Sequence, residues 1–279
     1  MQTTPRIPER FYKTITLHIL KNLIEIDGYK PPLILGIHGA PGEGKTFMCE
    51  QTLRSIGVKS FLISGGQLES ENAGEPAALL RSVYKKAGGE MLKGKTLASA
   101  ILINDFDTGV GNWGKLVQFT INTQQLFAEL MHLTDYPEIV ENETTPRVPI
   151  IITGNNFESL HLPLLRTGRM WLYEWKPEFQ EKVNVVERIF SELDKKEIAM
   201  LVSRFDKQPI SFFSHAKNTL IDSTIWAHLS LTNPANVIRE LRTVNSNFLV
   251  SLPRYTLKDA MDSCDGLLSS SSLINHIST

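Results

Sequence analysis

The sequence predicts an α/β protein in which a parallel β-sheet, with helices on both faces, is followed by a smaller all-helical domain. Three observations support this class: a glycine-rich loop between a strand and a helix, apolar runs that alternate with helical patterns as far as Lys176, and only helical periodicity from Pro177 onward. We therefore expect an α/β domain over residues 1–176 and a helical domain over residues 177–279.

The elements of the first domain follow from the spacing of its apolar residues. An N-terminal helix over 11–26 ends at Asp27-Gly28, a pair that stops helices. Helical patterns begin again at Phe47 and cover 77–91 and 117–133. Nearly unbroken apolar runs, typical of strands buried on both faces, occupy 33–37, 60–63, 96–104, 147–153 and 170–175.

The second domain carries helical periodicity throughout. A serine run at Ser269–Ser272 interrupts the apolar pattern, so we expect a disordered tail from about residue 266. The predicted helices cover 178–190, 195–205, 209–221, 234–244 and 257–261.

Composition excludes several classes of function. The chain carries 29 Lys and Arg against 30 Asp and Glu without a basic cluster, so we expect no nucleic-acid partner. Its two cysteines, Cys49 and Cys264, fit a reducing compartment and exclude a disulfide framework. No apolar stretch reaches membrane-spanning length and no signal-peptide pattern opens the chain, so we expect no membrane partner.

The strongest motif is GAPGEGKT, residues 39–46, which fits the phosphate-loop pattern GxxxxGK[ST]. Its glycines let backbone N–H groups surround an anion, the following helix adds its positive dipole end, and its lysine reaches the β- and γ-phosphates. A chance match occurs in about one chain of this length in a hundred, and the flanking strand and helix make it rarer. We predict a nucleoside triphosphate site formed by Gly39, Pro41, Gly42, Glu43, Gly44, Lys45, Thr46 and Phe47.

Polar residues at the ends of two other strands complete a hydrolytic site. Asp105 and Asp107 follow the third strand, where a carboxylate can hold Mg²⁺ and a second can orient the attacking water; the alternative is that they form a turn. We expect Thr46 and Asp105 to be the Mg²⁺ ligands, while the sequence leaves open which aspartate lies nearer the metal. Asn155 follows the fourth strand and can bond the phosphate and the water, although Asn156 competes for this role.

An arginine pair, Arg166 and Arg169, comes next along the chain. An arginine that a neighbouring subunit presents to the phosphates can raise the rate about 10³- to 10⁵-fold. The alternative is a pair of ordinary surface arginines. Their place after the other motifs favours the functional interpretation.

Phosphate loop, strand-end carboxylates, strand-end asparagine, arginine pair and helical lid, in this order, resemble an AAA+ ATPase. Within that superfamily the chain resembles Rubisco activases of the cyanobacterial and green type, through segments that include LESENAGEPA, INDFDTGVG and QPISFF. The resemblance covers roughly residues 11–250. It implies an AAA+ fold in which ATP is hydrolysed with Mg²⁺ by a homo-oligomeric ring, expected to be a hexamer.

The resemblance also implies a client and a location. The client is the Rubisco large subunit, from which an activase releases tight-binding sugar phosphates. The location is the cyanobacterial cytoplasm, free or associated with carboxysomes, or the chloroplast stroma if a transit peptide has been removed.

Two departures from the activase pattern keep other functions open. Thr167 stands between the arginines where activases carry Asp. Lys217 stands at the position of their sensor arginine, so the resemblance implies that Lys217 contacts the nucleotide at its γ-phosphate. Lysine keeps the charge but loses the bidentate fork. The alternatives are a weakly active or inactive activase paralogue that serves as a nucleotide-regulated adaptor or scaffold, and an AAA+ remodeller of another client.

Two loops resemble the segments that activases direct into a central pore. In the first, residues 65–73, Leu68 is expected to supply the apolar contact with a client chain. In the second, residues 110–115, Trp113 is either exposed to the pore or buried in the core.

Overall fold

The computed structural model describes residues 7–24, 27–68, 72, 74–109, 121–158, 160, 162–166, 168–229, 233–236, 239 and 253–277. The chain divides into two compact units, Met1–Lys176 and Pro177–Thr279. None of the helices in these ranges is both long enough and apolar enough to cross a membrane.

The first unit is built on a parallel sheet. Its strands are β1 (Ile34–His38), β2 (Lys59–Ser64), β3 (Ser99–Asn104), β4 (Ile139–Val140), β5 (Glu143–Thr144), β6 (Ile150–Gly154) and β7 (Met170–Glu174). Five of them form the sheet in the order β2-β3-β6-β1-β7, with every neighbouring pair parallel, which confirms the predicted fold class. β4 and β5 form a separate antiparallel hairpin that was not predicted.

Helices cover both faces of this sheet. They are α1 (Glu9–Leu23), α2 (Lys45–Ser55), α3 (Glu75–Leu92), α4 (Phe106–Gly109) and α5 (Ile121–Asp135). Successive strand residues point to opposite faces, so Leu35 packs with α1 and α2 while Ile34 packs with α3 and α5. Both faces are apolar and buried, as the unbroken apolar runs predicted.

The predicted N-terminal helix extends too far toward the first strand. α1 ends at Leu23, because the backbone is already extended at Ile24. α5 is described over Ile121–Asp135, and the predicted start at residues 117–120 lies outside the described residues.

The second unit is a helical cluster. It contains α6 (Phe179–Ile189), α7 (Lys195–Arg204), α8 (Ile210–Leu229) and α9 (Leu257–Ile277). Capping boxes begin α6 at Glu178 and α7 at Asp194, and the Lys182 ammonium group donates to the backbone carbonyls of Asp206 and Gln208, which closes the connection between α7 and α8. α8 is longer than predicted and runs to Leu229. Residues 234–236 are helical, and most of the predicted helix 234–244 lies outside the described residues.

The predicted disordered tail is wrong, because α9 continues through the serine run to Ile277. Leu267 and Leu268 extend the apolar face of the helix and pack against the core of the second unit. The hydroxyl groups of Ser269 and Ser270 donate to the carbonyls of Asp265 and Gly266, one helical turn earlier. Serine is compatible with a helix here because its hydroxyl is satisfied by the helix itself.

Candidate active site

The phosphate loop joins the end of β1 to the start of α2. Gly44 has a left-handed φ of 72° and is the residue immediately before the first turn of α2. Gly39 approaches the backbone so closely that an added Cβ atom would lie 2.1 Å from the carbonyl oxygen of Trp175. No side chain fits at Gly39, and the left-handed backbone favours glycine at Gly44. The loop therefore has the backbone freedom to direct N–H groups at a phosphate next to a helix N-terminus.

Trp175, the residue directly after β7, supports this loop. Its indole N–H donates to the carbonyl of Glu43 at 3.0 Å, and its backbone N–H donates to the carbonyl of His38 at 2.6 Å. The ring is fully buried against Phe11, with the guanidinium carbon of Arg10 4.8 Å from its centroid. The N-terminal helix thus supports the phosphate loop through one tryptophan.

Lys45 lies in the mouth of the loop and is only 7% exposed. Its ammonium group donates to the carbonyls of Gly39 and Ala40, at 2.8 and 2.9 Å, and to Oδ1 of Asn155 at 3.1 Å. Burial lowers the pKa of Lys45, and the nearby carboxylates, Asp107 first, oppose that shift. The fold therefore brings the predicted lysine and the predicted asparagine into direct contact.

Asn155 and Asn156 have different environments, which separates the two candidates. The Asn156 side chain accepts the backbone N–H of Glu158 at 2.7 Å and so forms a local turn. The Asn155 side chain faces the lysine of the phosphate loop. Of the two asparagines, Asn155 is therefore the one in contact with the phosphate loop.

Thr46 lies beside the ends of β3 and β6. Its hydroxyl is 3.3 Å from that of Thr153, which is fully buried and also lies 3.4 Å from the backbone N of Asp105. The Thr153 hydroxyl donates to Asn104 at 3.4 Å. Thr153 was missed at the sequence level, because a single threonine in an apolar strand carries no signal of its own.

The two candidate aspartates diverge in the structure. Asp105 has a left-handed φ of 49° and an exposed side chain at the end of β3. Asp107, in α4, accepts the backbone N–H groups of Asn155 and Asn156 at 2.7 and 3.0 Å. The Asp105 carboxylate and the Thr46 hydroxyl are hard oxygen ligands of the kind Mg²⁺ prefers, and phosphate and water oxygens complete such a site. The residues present fit a Mg²⁺-nucleotide.

The other predicted loop residues lie around the same opening. Pro41 is exposed, Glu43 is buried with its carbonyl held by the tryptophan, and Phe47 is 54% exposed on the first turn of α2. Pro41 and Phe47 therefore lie at the surface of the loop, while the buried Glu43 is one of the carboxylates whose charge acts on Lys45.

The two arginines have different surroundings. Arg169 makes a bidentate contact with Asp135, at 2.8 and 3.2 Å, and donates to the carbonyl of Pro163 at 3.2 Å. Arg166 is exposed. Thr167, between them, lies outside the described residues.

Comparison with known proteins agrees with this geometry. Residues 35–177 match the family model described as ATPase family associated with various cellular activities, AAA. The chain belongs to the AAA family. Residues 179–270 match the model of the AAA helical domain of ribulose bisphosphate carboxylase/oxygenase activase.

Relatives named ribulose bisphosphate carboxylase/oxygenase activase are similar to most of this AAA chain. The protein from Anabaena sp. is 42% identical over 86% of the chain and 59% of its own length. The chloroplastic protein from Chlamydomonas reinhardtii is 37% identical over 90% of the chain and 62% of its own length, and that from Zea mays is 39% identical over 86% and 56%. The resemblance predicted from the motifs is confirmed, and the chain spans about three fifths of the length of these relatives.

Lys217 lies within the helical unit of this AAA protein. It forms an ion pair with Glu192, and its ammonium nitrogen lies 4.4 Å from the ring centroid of Tyr255 and 5.2 Å from that of Phe190. Side-chain exposure is 16% for Lys217 and 14% for Glu192. The lysine therefore joins three segments of the helical unit, a role that its position in the sequence did not predict.

The first predicted pore loop is only partly described. Leu68 ends a 3₁₀ turn, Gly65–Leu68, and is 3% exposed within the core of the first unit. The prediction that Leu68 offers an apolar contact to a client is wrong, because the turn directs this side chain inward. Residues 110–115 of the second loop, with Trp113, lie outside the described residues.

Proposed function

We propose that this chain is the motor part of an activase-type AAA+ protein, which hydrolyses ATP and uses the energy to remodel inhibited Rubisco. One chain combines two features, and this combination carries the proposal. The first is a phosphate loop whose Lys45 and Thr46 contact residues of β6 and the turn after it, and the second is a helical unit that matches the activase-specific model. The client is the Rubisco large subunit, and the product is the enzyme freed of a tight-binding sugar phosphate.

The residues of the first unit divide the hydrolytic work. The phosphate-loop amides and Lys45 bind the phosphates, while Thr46 and Asp105 hold Mg²⁺. ATP bound with Mg²⁺ supplies the γ-phosphoryl group that is transferred to water. Asn155 contacts the lysine and orients the phosphate and the attacking water.

The arginine that completes a neighbouring site is Arg166. An exposed guanidinium is available to another subunit, whereas that of Arg169 is engaged by Asp135 in its own chain. We assign to Arg169 the task of holding the loop that presents Arg166. Each site then lies between two copies of the chain, and the expected assembly is a hexameric ring.

Lys217 has a structural role in this proposal. Its charge is balanced by Glu192 within the helical unit, so it stabilises that unit in addition to the nucleotide contact that the resemblance implies. The expected location is where Rubisco is found, in cyanobacterial cytoplasm or chloroplast stroma, since the relatives include cyanobacterial and chloroplastic proteins.

The test is the ATPase rate per subunit as a function of protein concentration, followed by release of a sugar phosphate from inhibited Rubisco. A rate that rises with concentration supports a site shared between subunits, and ATP-dependent release supports the client. A rate near background with intact ATP binding would favour the nucleotide-regulated scaffold. Hydrolysis without release from Rubisco would favour a different client.

A further inference from the structure

The Asp107 carboxylate is directed at the turn after β6. Its Oδ2 atom accepts two consecutive backbone N–H groups, from Asn155 at 2.7 Å and from Asn156 at 3.0 Å. Bonds from N–H groups to a charged carboxylate are about twice as strong as those to a neutral oxygen. One side chain therefore holds the backbone of both residues at the strand end.

The second oxygen of Asp107 faces protein. Oδ1 is buried and has no hydrogen-bond partner among the described residues. A Cβ atom added to Gly154 would lie 2.7 Å from this oxygen and 2.4 Å from the ring of Phe157. The carboxylate thus packs directly on the glycine backbone, in a space that a side chain at position 154 would fill.

This placement differs from that of a carboxylate available to a metal. A Mg²⁺ ligand must present an oxygen lone pair to the ion or to its water shell. In Asp107, one oxygen is engaged by two amides and the other is buried. The Asp105 carboxylate, in contrast, is exposed at the end of β3.

The contacts of Asp107 determine the position of Asn155. With its own N–H and that of the following residue both held, the backbone at Asn155 has a defined position, and its side chain reaches the ammonium group of Lys45 at 3.1 Å. We propose that Asp107 is a positioning residue that fixes the Asn155 turn for phosphate sensing, and that Asp105 is the carboxylate of the Mg²⁺ site. The inference rests on the proposed ATPase function for its catalytic meaning.

Amide hydrogen exchange at Asn155 and Asn156, in nucleotide-free protein, tests the structural half of the inference independently of activity. In Asp107→Ala, exchange at both amides should accelerate about 10- to 100-fold, as expected for the loss of hydrogen bonds to a charged group. Asp107→Asn keeps one acceptor oxygen and should show a smaller increase. Asp105→Ala, the matched control, should leave both amides as in the unmodified chain. Unchanged exchange in Asp107→Ala, or equal acceleration in Asp105→Ala, would overturn the assignment.

Steady-state kinetics test the catalytic half. Because a displacement of about 1 Å at a reacting centre costs about 10²-fold in rate, Asp107→Ala should lower kcat by about that factor while the Kd for ATP stays within about threefold. Asp107→Asn should recover part of the loss, and Asp105→Ala should instead raise the Mg²⁺ concentration needed for half-maximal rate. A raised Mg²⁺ requirement in Asp107→Ala, with kcat restored at high Mg²⁺, would identify a metal ligand and refute the proposal. If the unmodified chain hydrolyses no ATP, the proposed function fails, and the exchange data still decide whether Asp107 holds the turn.

Discussion

A buried histidine makes the stability of the first unit decrease at acidic pH. His18, in α1, is 2% exposed, and its Nε2 atom lies 3.1 Å from the carbonyl oxygen of Ile150 at the centre of the sheet. A carbonyl only accepts hydrogen bonds, so Nε2 carries the proton and donates. Burial, supported by the charges of Arg147 and Lys21, lowers the pKa of His18 from 6.5 to about 3. The folded unit therefore holds His18 neutral.

The sign and size of the effect follow from linkage. A folded pKa below the unfolded pKa means that the unfolded chain binds the extra proton, so stability falls as the pH drops through 6.5 toward 3. At pH 5 the unfolded histidine is charged and the folded one is not, which costs about 2 kcal/mol relative to pH 8. The loss would continue until the pH reaches the folded pKa.

Urea unfolding between pH 8 and pH 5 measures this loss, with His18→Gln as the matched variant because glutamine can still donate to the Ile150 carbonyl. Other groups titrate equally in both proteins, so their contribution cancels in the difference. We expect the free energy of unfolding of the unmodified chain to fall by about 2 kcal/mol more than that of His18→Gln. Parallel pH curves for the two proteins would refute the interpretation of His18 as a neutral buried group.

Three further predictions concern the site and the helical unit. Arg166→Ala should lower the ATPase rate about 10³-fold or more with ATP binding intact, whereas Arg169→Ala should have a smaller effect that Asp135→Ala reproduces. Trp175→Phe removes the bond to the phosphate loop and should raise the Kd for ATP about 3- to 10-fold, measured by calorimetry. Truncation after Asp265 should lower the free energy of unfolding of the helical unit by about 1–3 kcal/mol in urea.

Each of these has a control and a contrary outcome. A larger rate loss in Arg169→Ala than in Arg166→Ala would exchange the roles of the two arginines. Trp171→Phe, a change in a neighbouring partly buried tryptophan, should leave ATP affinity as it was. Truncation without loss of stability would mean that the end of α9 contributes nothing to the packing of the unit.

Local patterns predicted the elements of the site but not their contacts. The phosphate loop is a continuous motif whose function depends on backbone geometry, and the spacing of its glycines dictates that geometry. The loop could therefore be predicted directly from the sequence. The sequence could not decide between Asn155 and Asn156, because both follow the same strand and only the position of Lys45 distinguishes them. The bond from Trp175 to the phosphate loop could not be predicted, since nothing local shows that β7, which Trp175 follows, pairs with β1.

The end of α9 shows that residue composition alone can mispredict a segment. Serine lowers the expectation of a helix when it is judged by residue type, and Ser269–Ser272 was therefore predicted to be disordered. The helix continues because Leu267 and Leu268 pack against the apolar core of the unit. Packing of this kind outweighs intrinsic propensity.

By itself, the sequence determined the α/β class, the phosphate loop and the family resemblance, because these depend on residue order and on local backbone requirements. Only the tertiary structure decided which of the paired residues does which work: Asp105 is exposed while Asp107 holds a turn, and Arg166 is exposed while Arg169 is engaged by Asp135. A sequence pattern does not distinguish between two residues of the same type that lie two or three positions apart. They become different only when distant segments surround them with different partners and different access to solvent.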